Sequence, residues 1–587
     1  MQYKPQQIQS ELAGAVDINI EIAKLIADPQ SSFAITQQNI NGVTFDVFSH
    51  LPLNLPSMYE SVSALHHENE FLIYQDERYS FTDIYQRACA LATALQQDYD
   101  ICIGDKVVIA MRNYPEWMIA FMAITSIGGV AVPLNAWWQL EEFEYGIVHC
   151  NAKLVFTDER RFSMLHGFLD QQAIPCVPAR LPATTQDAKD GAGQKVANTT
   201  LEQLIIRYSG CNMPSVAIGA ETIASIFYTS GSTGHPKGAV SNHRSILSAL
   251  NTWTLLGTGA AYANGTAGET PENPPCALMT VPLFHVTACH VLFLLSYFTG
   301  RKTVMMHKWE PVEALRLIEA EKVTYFNGVP TMSLEMMEHP RVTDFDTSSL
   351  LDISSGGAAR PAQHVEKLYS TFAQGHASTG YGLTETNALG TVNHGSDYLT
   401  RPNSVGTATW PIVQIAIFDD NGQQVAPGIH GEIGIKSISN VVEYFSNEEA
   451  TAASFIDGYF KTGDLGYLDT DGFVYIVDRV KDIIIRGGEN ISCLEVEEAM
   501  YRHGAIKECS VFALPDARLG EVVSAAIYPK EGIQLDAHTI QTFLAEHLAA
   551  FKVPSLVFIN DAPLPRLGSG KLNKKQLKQQ YSRQISD

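Results

Sequence analysis

The sequence predicts an α/β protein with a large N-terminal domain of mixed α/β sheets that carries a β-rich subdomain, followed by a small, mobile α+β C-terminal domain. At 587 residues the chain is too long for one hydrophobic core, because such cores stop growing at roughly 250–300 residues. Strand-like and helix-like runs alternate over residues 104–157, and from about residue 410 the pattern changes to short β-rich runs.

The alternating region indicates parallel βαβ units. Residues 115–129 (PEWMIAFMAITSIGG) begin with a proline, which the first turn of a helix tolerates, and end at a glycine pair. Strands separated by helices of this length pair in parallel. The predicted elements are strands at 105–111, 130–135 and 153–157 and helices at 115–129 and 140–150, with a similar alternation at 303–306, 311–322 and 323–326.

The C-terminal part has a different pattern. Short β-rich runs at 414–419, 431–437 and 473–478 are followed by a compact stretch after Lys481. That stretch has helix-like runs near 494–503 and 536–549 and strand-like runs near 508–514 and 522–528. We therefore predict one domain over residues 1–480 and a second over 481–587, with a hinge near Lys481 in the turn-like segment DRVKD (478–482).

Three further segments have no regular pattern. Residues 184–200 are small and polar, and residues 257–275 are rich in glycine and proline, so both are predicted to be surface loops. The first 40 residues show no strong periodicity.

Composition excludes some classes of function. The chain has 63 Asp and Glu against 40 Lys and Arg, and its net charge of −23 argues against a general nucleic-acid-binding surface. Nine cysteines are scattered without a CxxC pair, which favours reduced thiols in a cytoplasmic protein over a disulfide framework or a zinc site.

Two uncharged stretches are long enough to be considered as membrane spans. Residues 117–134 contain Gly128-Gly129 and Pro133, and residues 276–300 contain Pro282 and His285. These residues favour buried helices and strands, so we predict no transmembrane span. Peripheral membrane contact and assembly into a homodimer stay open as alternatives.

The strongest local signal is residues 228–238, YTSGSTGHPKG. A β-rich run leads into a loop whose glycines let backbone N–H groups turn toward an anion, while the hydroxyls add donors and Lys237 adds charge. The Walker spacing GxxxxGK[ST] is absent here, and GSGK at 568–571 lacks its first glycine. The predicted polyphosphate cradle comprises Thr229, Ser230, Gly231, Ser232, Thr233, Gly234 and Lys237.

This segment resembles the phosphate loop of the adenylate-forming (AMP-binding) superfamily, and the acyl-CoA synthetases are the most similar subgroup. Seven further motifs of that superfamily follow in order, so the resemblance spans roughly residues 70–580. They are PLFHVTA (282–288), SSGGAARP (354–361), YGLTET (381–386), GEIGI (431–435), YFKTGDLG (459–466), DRVKDIIIRGGENI (478–491) and PRLGSGK (565–571).

The resemblance implies a role for each motif. Thr384 would contact the α-phosphate of ATP, Glu385 would help to hold Mg²⁺, and Asp464 would accept both ribose hydroxyls. Lys571 would bind the carboxylate and α-phosphate during adenylation, and the small domain would then rotate about Lys481. Tyr381 and Gly382 would lie at the adenine, and Gly356, Gly357 and Ala358 would lie at the base or the acyl carbonyl. Arg479 would contact the ribose or a phosphate, and His285 would lie beside the acyl carboxylate. Gly487 and Gly488 would line the path of the pantetheine arm of coenzyme A.

The predicted function is ATP-dependent acid–thiol ligation through an acyl-adenylate. Apolar residues expected around the acid (Val286, Cys289, Val329 and Leu383) favour a medium- or long-chain fatty acid, with an aryl acid as the alternative. Unusual residues at 441–446 and 492–497 leave open an acyl-AMP ligase that loads a separate carrier protein. An inactive acyl- or nucleotide-binding protein should have lost some of Lys237, Thr384, Glu385, Asp464, Arg479 and Lys571, and all six are present.

Overall fold

The computed structural model describes residues 18–182, 199–229, 236–358, 360–372, 374–479, 482–486, 489–516, 518–567 and 571–586. The predicted loop at 184–200, apart from its last two residues, and the predicted hinge residue Lys481 lie outside these ranges.

Most strands belong to two large sheets and two smaller ones. In chain order the strands are β1 (Ile35–Ile40), β2 (Val43–Phe48), β3 (Glu70–Tyr74), β4 (Glu77–Ser80), β5 (Lys106–Ala110), β6 (Val130–Pro133), β7 (Ala152–Thr157), β8 (Cys176–Pro178), β9 (Ile223–Thr229), β10 (Lys237–Asn242), β11 (Cys276–Met279), β12 (Lys302–Met305), β13 (Tyr325–Gly328), β14 (Asp352–Gly356), β15 (His376–Tyr381), β16 (Thr391–His394), β17 (Thr407–Ala408), β18 (Gln414–Phe418), β19 (Gly431–Lys436), β20 (Glu443–Tyr444), β21 (Phe455–Ile456), β22 (Tyr459–Leu468), β23 (Val474–Arg479), β24 (Ile484–Arg486), β25 (Glu489–Ile491), β26 (Ile506–Asp516), β27 (Gly520–Pro529) and β28 (Leu556–Ile559).

Helices cover the sheets. In chain order they are α1 (Ile18–Ala27), α2 (Leu55–His66), α3 (Phe81–Tyr99), α4 (Pro115–Ser126), α5 (Leu140–His149), α6 (Glu159–Gln171), α7 (Leu201–Arg207), α8 (His243–Ala263), a π-helix (Thr287–Leu294), α9 (Leu295–Thr299), α10 (Pro311–Glu321), α11 (Pro330–Glu338), α12 (Ala362–Thr371), α13 (Gly395–Thr400), α14 (Glu448–Ser454), α15 (Cys493–Tyr501), α16 (Ala537–Ala545) and α17 (Lys574–Ser586), with short 3₁₀ turns at Val342–Asp344 and Thr384–Thr386.

The predicted parallel βαβ units form the centre of the first large sheet. Its seven strands lie in the order β20-β10-β9-β6-β5-β7-β8, and β9, β6, β5, β7 and β8 pair in parallel. The second large sheet has the order β17-β16-β15-β14-β13-β11-β12-β3-β4, with a parallel centre from β15 to β3. The predicted α/β fold with its alternating elements is therefore confirmed.

The first uncharged stretch folds as the sequence predicts. Every residue of α4 and of β6 is buried, and Gly128, with φ +76°, makes the turn between them. Within the described residues, no helix is long and apolar enough to cross a membrane. The hydrophobic character of residues 117–134 therefore belongs to the protein core.

The β-rich subdomain is an antiparallel sheet of β18, β19, β22, β21 and β23. Strands β24 to β28 form a further sheet, which has its own buried apolar cluster with α15 and α16. Asp478 and Arg479 of the predicted hinge segment belong to strand β23, and Asp482 lies in a turn.

The loop prediction for residues 257–275 is wrong for its first seven residues, because residues 257–263 continue helix α8. Residues 18–27 and 35–40, which show no strong periodicity, form α1 and β1. Helix α1 packs on α8 at Gly259, where a Cβ would lie 2.7 Å from Cγ1 of Ile22. The glycine that suggested a loop is the residue that lets the two helices approach each other.

Candidate active site

The site begins at the carboxyl ends of two neighbouring parallel strands. Strand β14 ends at Gly356 and β15 ends at Tyr381, and the register places Gly356 opposite Gly380. The segments that leave these ends, 356–358 and 381–386, are therefore side by side. Ligands of open α/β sheets bind at this edge, outside the carboxyl ends of the strands.

A lysine from the C-terminal segment, the part of the chain that follows strand β23, reaches this edge. A Cβ added to Gly357 would lie 3.1 Å from Cε and 3.6 Å from Nζ of Lys571. The backbone of Lys571 is held by its neighbour, since the N–H of Leu567 donates to the carbonyl of Lys571 at 2.7 Å. Gly357 has φ +76°, a conformation that L side chains rarely adopt.

The surroundings of Lys571 lower its pKa. Desolvation, aided by the nearby Arg479 guanidinium, lowers the pKa of Lys571 to about 8, although the carboxylates of Asp464 and Glu385 act in the opposite direction. Four residues that the sequence places up to 186 positions apart thus share one electrostatic environment. An anion bound there would favour the protonated lysine and raise its pKa again.

Asp464 and Arg479 are paired by sheet register. They are directly opposite each other on β22 and β23, and the Arg479 Nε lies 3.0 Å from Oδ1 of Asp464. The Tyr381 hydroxyl donates to the other carboxylate oxygen at 2.6 Å. Asp464 is only 4% exposed, so its orientation is fixed by these two partners. Each of its oxygens keeps a further lone pair for a ligand.

Glu385 is a buried carboxylate whose side-chain partner came from an unexpected segment. The hydroxyl of Tyr444 donates to its Oε1 at 2.8 Å, and the N–H of Val441 donates to its main-chain carbonyl at 2.9 Å. Burial raises the pKa of Glu385, while Tyr444 and the charges of Arg479 and Lys237 oppose that rise. Sequence reasoning noted residues 441–446 only as unusual and missed Tyr444.

The donor set at Glu385 suits magnesium. Among the described residues, no cluster of three His, Cys, Asp or Glu side chains could hold a metal by itself. Magnesium, however, is commonly bound by one or two carboxylates together with substrate phosphates and retained waters. A single buried carboxylate whose pKa is raised by desolvation would gain from a nearby cation.

The predicted phosphate cradle is framed by two paired strands. Thr229 ends β9 and lies opposite Lys237, which begins β10, and the Thr229 hydroxyl donates to the Lys237 carbonyl at 3.4 Å. The Lys237 ammonium lies 4.9 Å from the centre of the Tyr444 ring. The loop residues Ser230, Gly231, Ser232, Thr233 and Gly234 lie outside the described residues, as do Lys481, Gly487 and Gly488.

The predicted acyl side is apolar and contains a neutral histidine. Val286, Cys289 and Val329 are buried, and Leu383 is half-buried. Desolvation, with a smaller effect from Lys571, lowers the pKa of His285 to about 3, so the imidazole is neutral at physiological pH. Its Nε2 has no hydrogen-bond partner among the described residues. A polar atom left in this state is available to a ligand.

The loop that carries Thr384 and Glu385 is tightly constrained. A Cβ on Gly382 would lie 2.5 Å from the Ala388 carbonyl oxygen, so only glycine fits there. Asn387 accepts a hydrogen bond from Ser241 at 2.9 Å and donates to the Ser439 carbonyl at 2.8 Å. This loop therefore joins the two large sheets and holds the Thr384–Thr386 turn in place.

Comparison with known protein families matches most of the chain, although Asp464 and Arg479 lie between the two matched regions. The family described as AMP-binding enzyme matches residues 59–445, and the family described as AMP-binding enzyme C-terminal domain matches residues 495–571. The first match contains Thr229, Lys237, His285, Gly357 and Glu385, and the second ends at Lys571.

Individual relatives are similar over nearly their full length. A long-chain-fatty-acid–CoA ligase of Bacillus subtilis is 32% identical over 91% of this chain and 96% of its own. A feruloyl-CoA synthase of an Amycolatopsis species is 28% identical over 90% of this chain and 98% of its own.

Solved structures agree with the sequence comparisons. The o-succinylbenzoate–CoA synthetase of Bacillus subtilis, in complex with its acyl-adenylate intermediate, has a TM-score of 0.75 at 27% identity, covering 90% of this chain and 98% of that one. The same synthetase with ATP and magnesium has a TM-score of 0.74 at 26% identity, covering 89% and 99%.

Proposed function

The chain belongs to the AMP-binding enzyme family and is of the acyl-CoA synthetase type, and from that premise we propose that its substrate is a medium- or long-chain fatty acid. In the first step a carboxylate oxygen attacks the α-phosphorus of ATP, forming acyl-AMP and releasing pyrophosphate. In the second, the thiol sulfur of coenzyme A attacks the acyl carbon, forming the thioester and releasing AMP and the thiol proton.

One observation carries the proposal of adenylation at this site. Lys571 is next to Gly357 and close to Arg479, Asp464 and Glu385, in a space where desolvation lowers its pKa to about 8. Joining a carboxylate to ATP brings anions together, and a cation already positioned there stabilises the charge that develops in the transition state.

The remaining residues divide between the two ends of the nucleotide. Asp464 would accept the ribose hydroxyls, since it is fixed by Tyr381 and Arg479 and keeps free lone pairs. Lys237 and the loop that precedes it would hold the β- and γ-phosphates, and Thr384 the α-phosphate. Glu385 would ligate magnesium, which supplies charge neutralisation at the phosphates when bound.

The acid is proposed to lie along the apolar side near His285. A neutral imidazole can donate or accept one hydrogen bond to a carboxyl oxygen without adding charge. The buried apolar residues Val286, Cys289 and Val329 suit an alkyl chain. The similarity to the Bacillus subtilis long-chain-fatty-acid–CoA ligase supports this choice, and the similarity to a feruloyl-CoA synthase supports an aryl acid as the second candidate.

The thiol step would require Lys571 to leave the site. We assign the pivot to Lys481 and the path of the pantetheine arm to Gly487 and Gly488, on the resemblance alone. All nine cysteines are free thiols, which supports the cytoplasm as the location.

The test measures AMP, pyrophosphate and thioester from the purified protein with ATP, Mg²⁺ and a panel of fatty and aryl acids, with and without coenzyme A. We expect AMP and pyrophosphate in equal amounts, an acyl thioester identified by mass, and the highest kcat/KM with a fatty acid. Release of ADP would contradict adenylation. Acyl-AMP that coenzyme A does not consume would point to a carrier protein as acceptor.

A further inference from the structure

A second, separate cavity lies between two helices of the N-terminal part, α11 and α12, and residues 501–530. Its volume is about 130 Å³, and its walls come from α11 and α12 on one side and from residues 501–507 and Lys530 on the other. A cavity needs only about 10–15 Å³ to hold a water molecule, so there is room for a small polyatomic ligand. Its titratable lining residues are Glu338, His364, Lys367, Tyr501, His503, Lys507 and Lys530.

Positive charge in this cavity is only partly neutralised. Lys367 pairs with Glu338 at 2.8 Å, which is the single carboxylate of the lining. Within the described part of the chain, neither Lys507 nor Lys530 has a carboxylate within ion-pair distance, and Lys507 instead lies 5.7 Å from the Tyr528 ring centre. Two unneutralised ammonium groups here contrast with a chain whose net charge is −23.

The wall formed by α12 also has a polar group without a partner. Among the described residues, Nδ1 of His364 has no hydrogen-bond partner. Desolvation lowers the pKa of His364, and the positive charges of the nearby Arg360, of Lys367 and of Lys530 add to this effect. An anion would supply negative charge and hydrogen-bond acceptors to this lining at once.

We propose that this cavity binds one phosphate-sized anion, and that the anion holds the C-terminal segment against helices α11 and α12. The lysines without carboxylate partners, Lys507 and Lys530, come from one wall, and Lys367 and His364 from the other, so one ligand bridges both. Because Lys571 belongs to the same C-terminal segment, the bound anion favours the arrangement in which Lys571 lies beside Gly357. This last consequence rests on the proposed function.

The binding test uses inorganic phosphate as the probe. The rise in thermal midpoint with phosphate concentration is measured at constant ionic strength, because salt alone screens surface charge. The test variant is Lys507→Gln/Lys530→Gln. The matched control is Lys24→Gln/Lys322→Gln, which removes two exposed lysines elsewhere. Lys237→Ala reports any phosphate bound at the predicted cradle instead.

We expect phosphate to bind the test variant at least about tenfold more weakly than the wild type, since two charge-assisted contacts are lost. The control and Lys237→Ala should show the same phosphate-dependent rise in thermal midpoint as the wild type. The Lys507→Arg/Lys530→Arg variant, which keeps both positive charges, should also show it. An unchanged response in the test variant, or a response lost only in Lys237→Ala, would overturn the proposal even if ligase activity is established.

The conformational consequence is tested by thioester formation from supplied acyl-AMP and coenzyme A. Phosphate should slow this reaction in the wild type and in the Lys24→Gln/Lys322→Gln control, but not in the Lys507→Gln/Lys530→Gln variant. Equal slowing in all three proteins would contradict the proposed effect of the anion on the position of Lys571. If no acid yields AMP while the binding results hold, the proposed function fails and the anion site stands.

Discussion

The side chain of Lys571 packs against the backbone of Gly357, so closely that a Cβ on that glycine would lie 3.1 Å from the lysine Cε. The two residues are 214 positions apart: Gly357 directly follows strand β14, and Lys571 lies between β28 and α17. This contact brings a lysine ammonium to the edge where β14 and β15 end.

Substituting Gly357→Ala should impair adenylation. The new methyl group would press on Lys571, and the positive φ of +76° would be strained for alanine. We expect acyl-AMP formation to fall at least about tenfold, in line with the loss of a well-positioned charge. Gly472→Ala is the control, because this glycine also has a positive φ, of +85°, and nothing lies within 4 Å of its added Cβ. Equal losses in both variants would argue against a specific contact with Lys571.

Replacing Tyr444→Phe should change the magnesium requirement. The hydroxyl that orients Glu385 and stabilises its charged form is lost, so the buried carboxylate becomes a poorer ligand. The Mg²⁺ concentration for half-maximal acyl-AMP formation should rise roughly tenfold, as expected for a hydrogen bond to a charged group. Tyr459→Phe serves as control, because its hydroxyl contacts the side chains of Gln414, at 3.5 Å, and Gln424, and not Glu385. An unchanged Mg²⁺ dependence in Tyr444→Phe would argue against Glu385 as a magnesium ligand.

Asp464→Asn should weaken recognition of the ribose. The carboxylate that would accept both hydroxyls becomes an amide with one acceptor oxygen, and its ion pair with Arg479 is lost. The wild type should prefer ATP to 2′-deoxy-ATP in kcat/KM, and the variant should reduce this preference several-fold. If the preference were the same in both proteins, Asp464 would have only a structural role.

Adenylation at limiting ATP should decline in alkaline solution. The pKa of Lys571 is lowered to about 8, so the ammonium is present below that pH and is lost as the pH rises through it. The kcat/KM for ATP should therefore fall above about pH 8, whereas His285, whose pKa is about 3, stays neutral throughout. In Lys571→Arg the guanidinium stays charged, so the profile should be lower overall but flat. The same decline in Lys571→Arg would show that the loss of activity at high pH comes from the titration of another group.

Local patterns predicted much of this structure. The glycine pair and proline in residues 117–134 gave the correct buried helix and strand, since these residues break a continuous span whatever their surroundings. The helical end of α8 could not be predicted, because Gly259 is explained only by the helix that packs against it. Tyr444 could not be predicted either, because the pairing of β10 with β20 is what brings it to Glu385.

The central claim is that Lys571 acts in adenylation and not in thioester formation. The most direct measurement compares Lys571→Ala with the wild type in two separate reactions, acyl-AMP formation from acid and ATP, and thioester formation from supplied acyl-AMP and coenzyme A. We predict a loss of roughly 100-fold or more in the first, typical of removing one charge-stabilising group, and a change of less than about threefold in the second. Equal losses in both reactions would contradict the role assigned to Lys571.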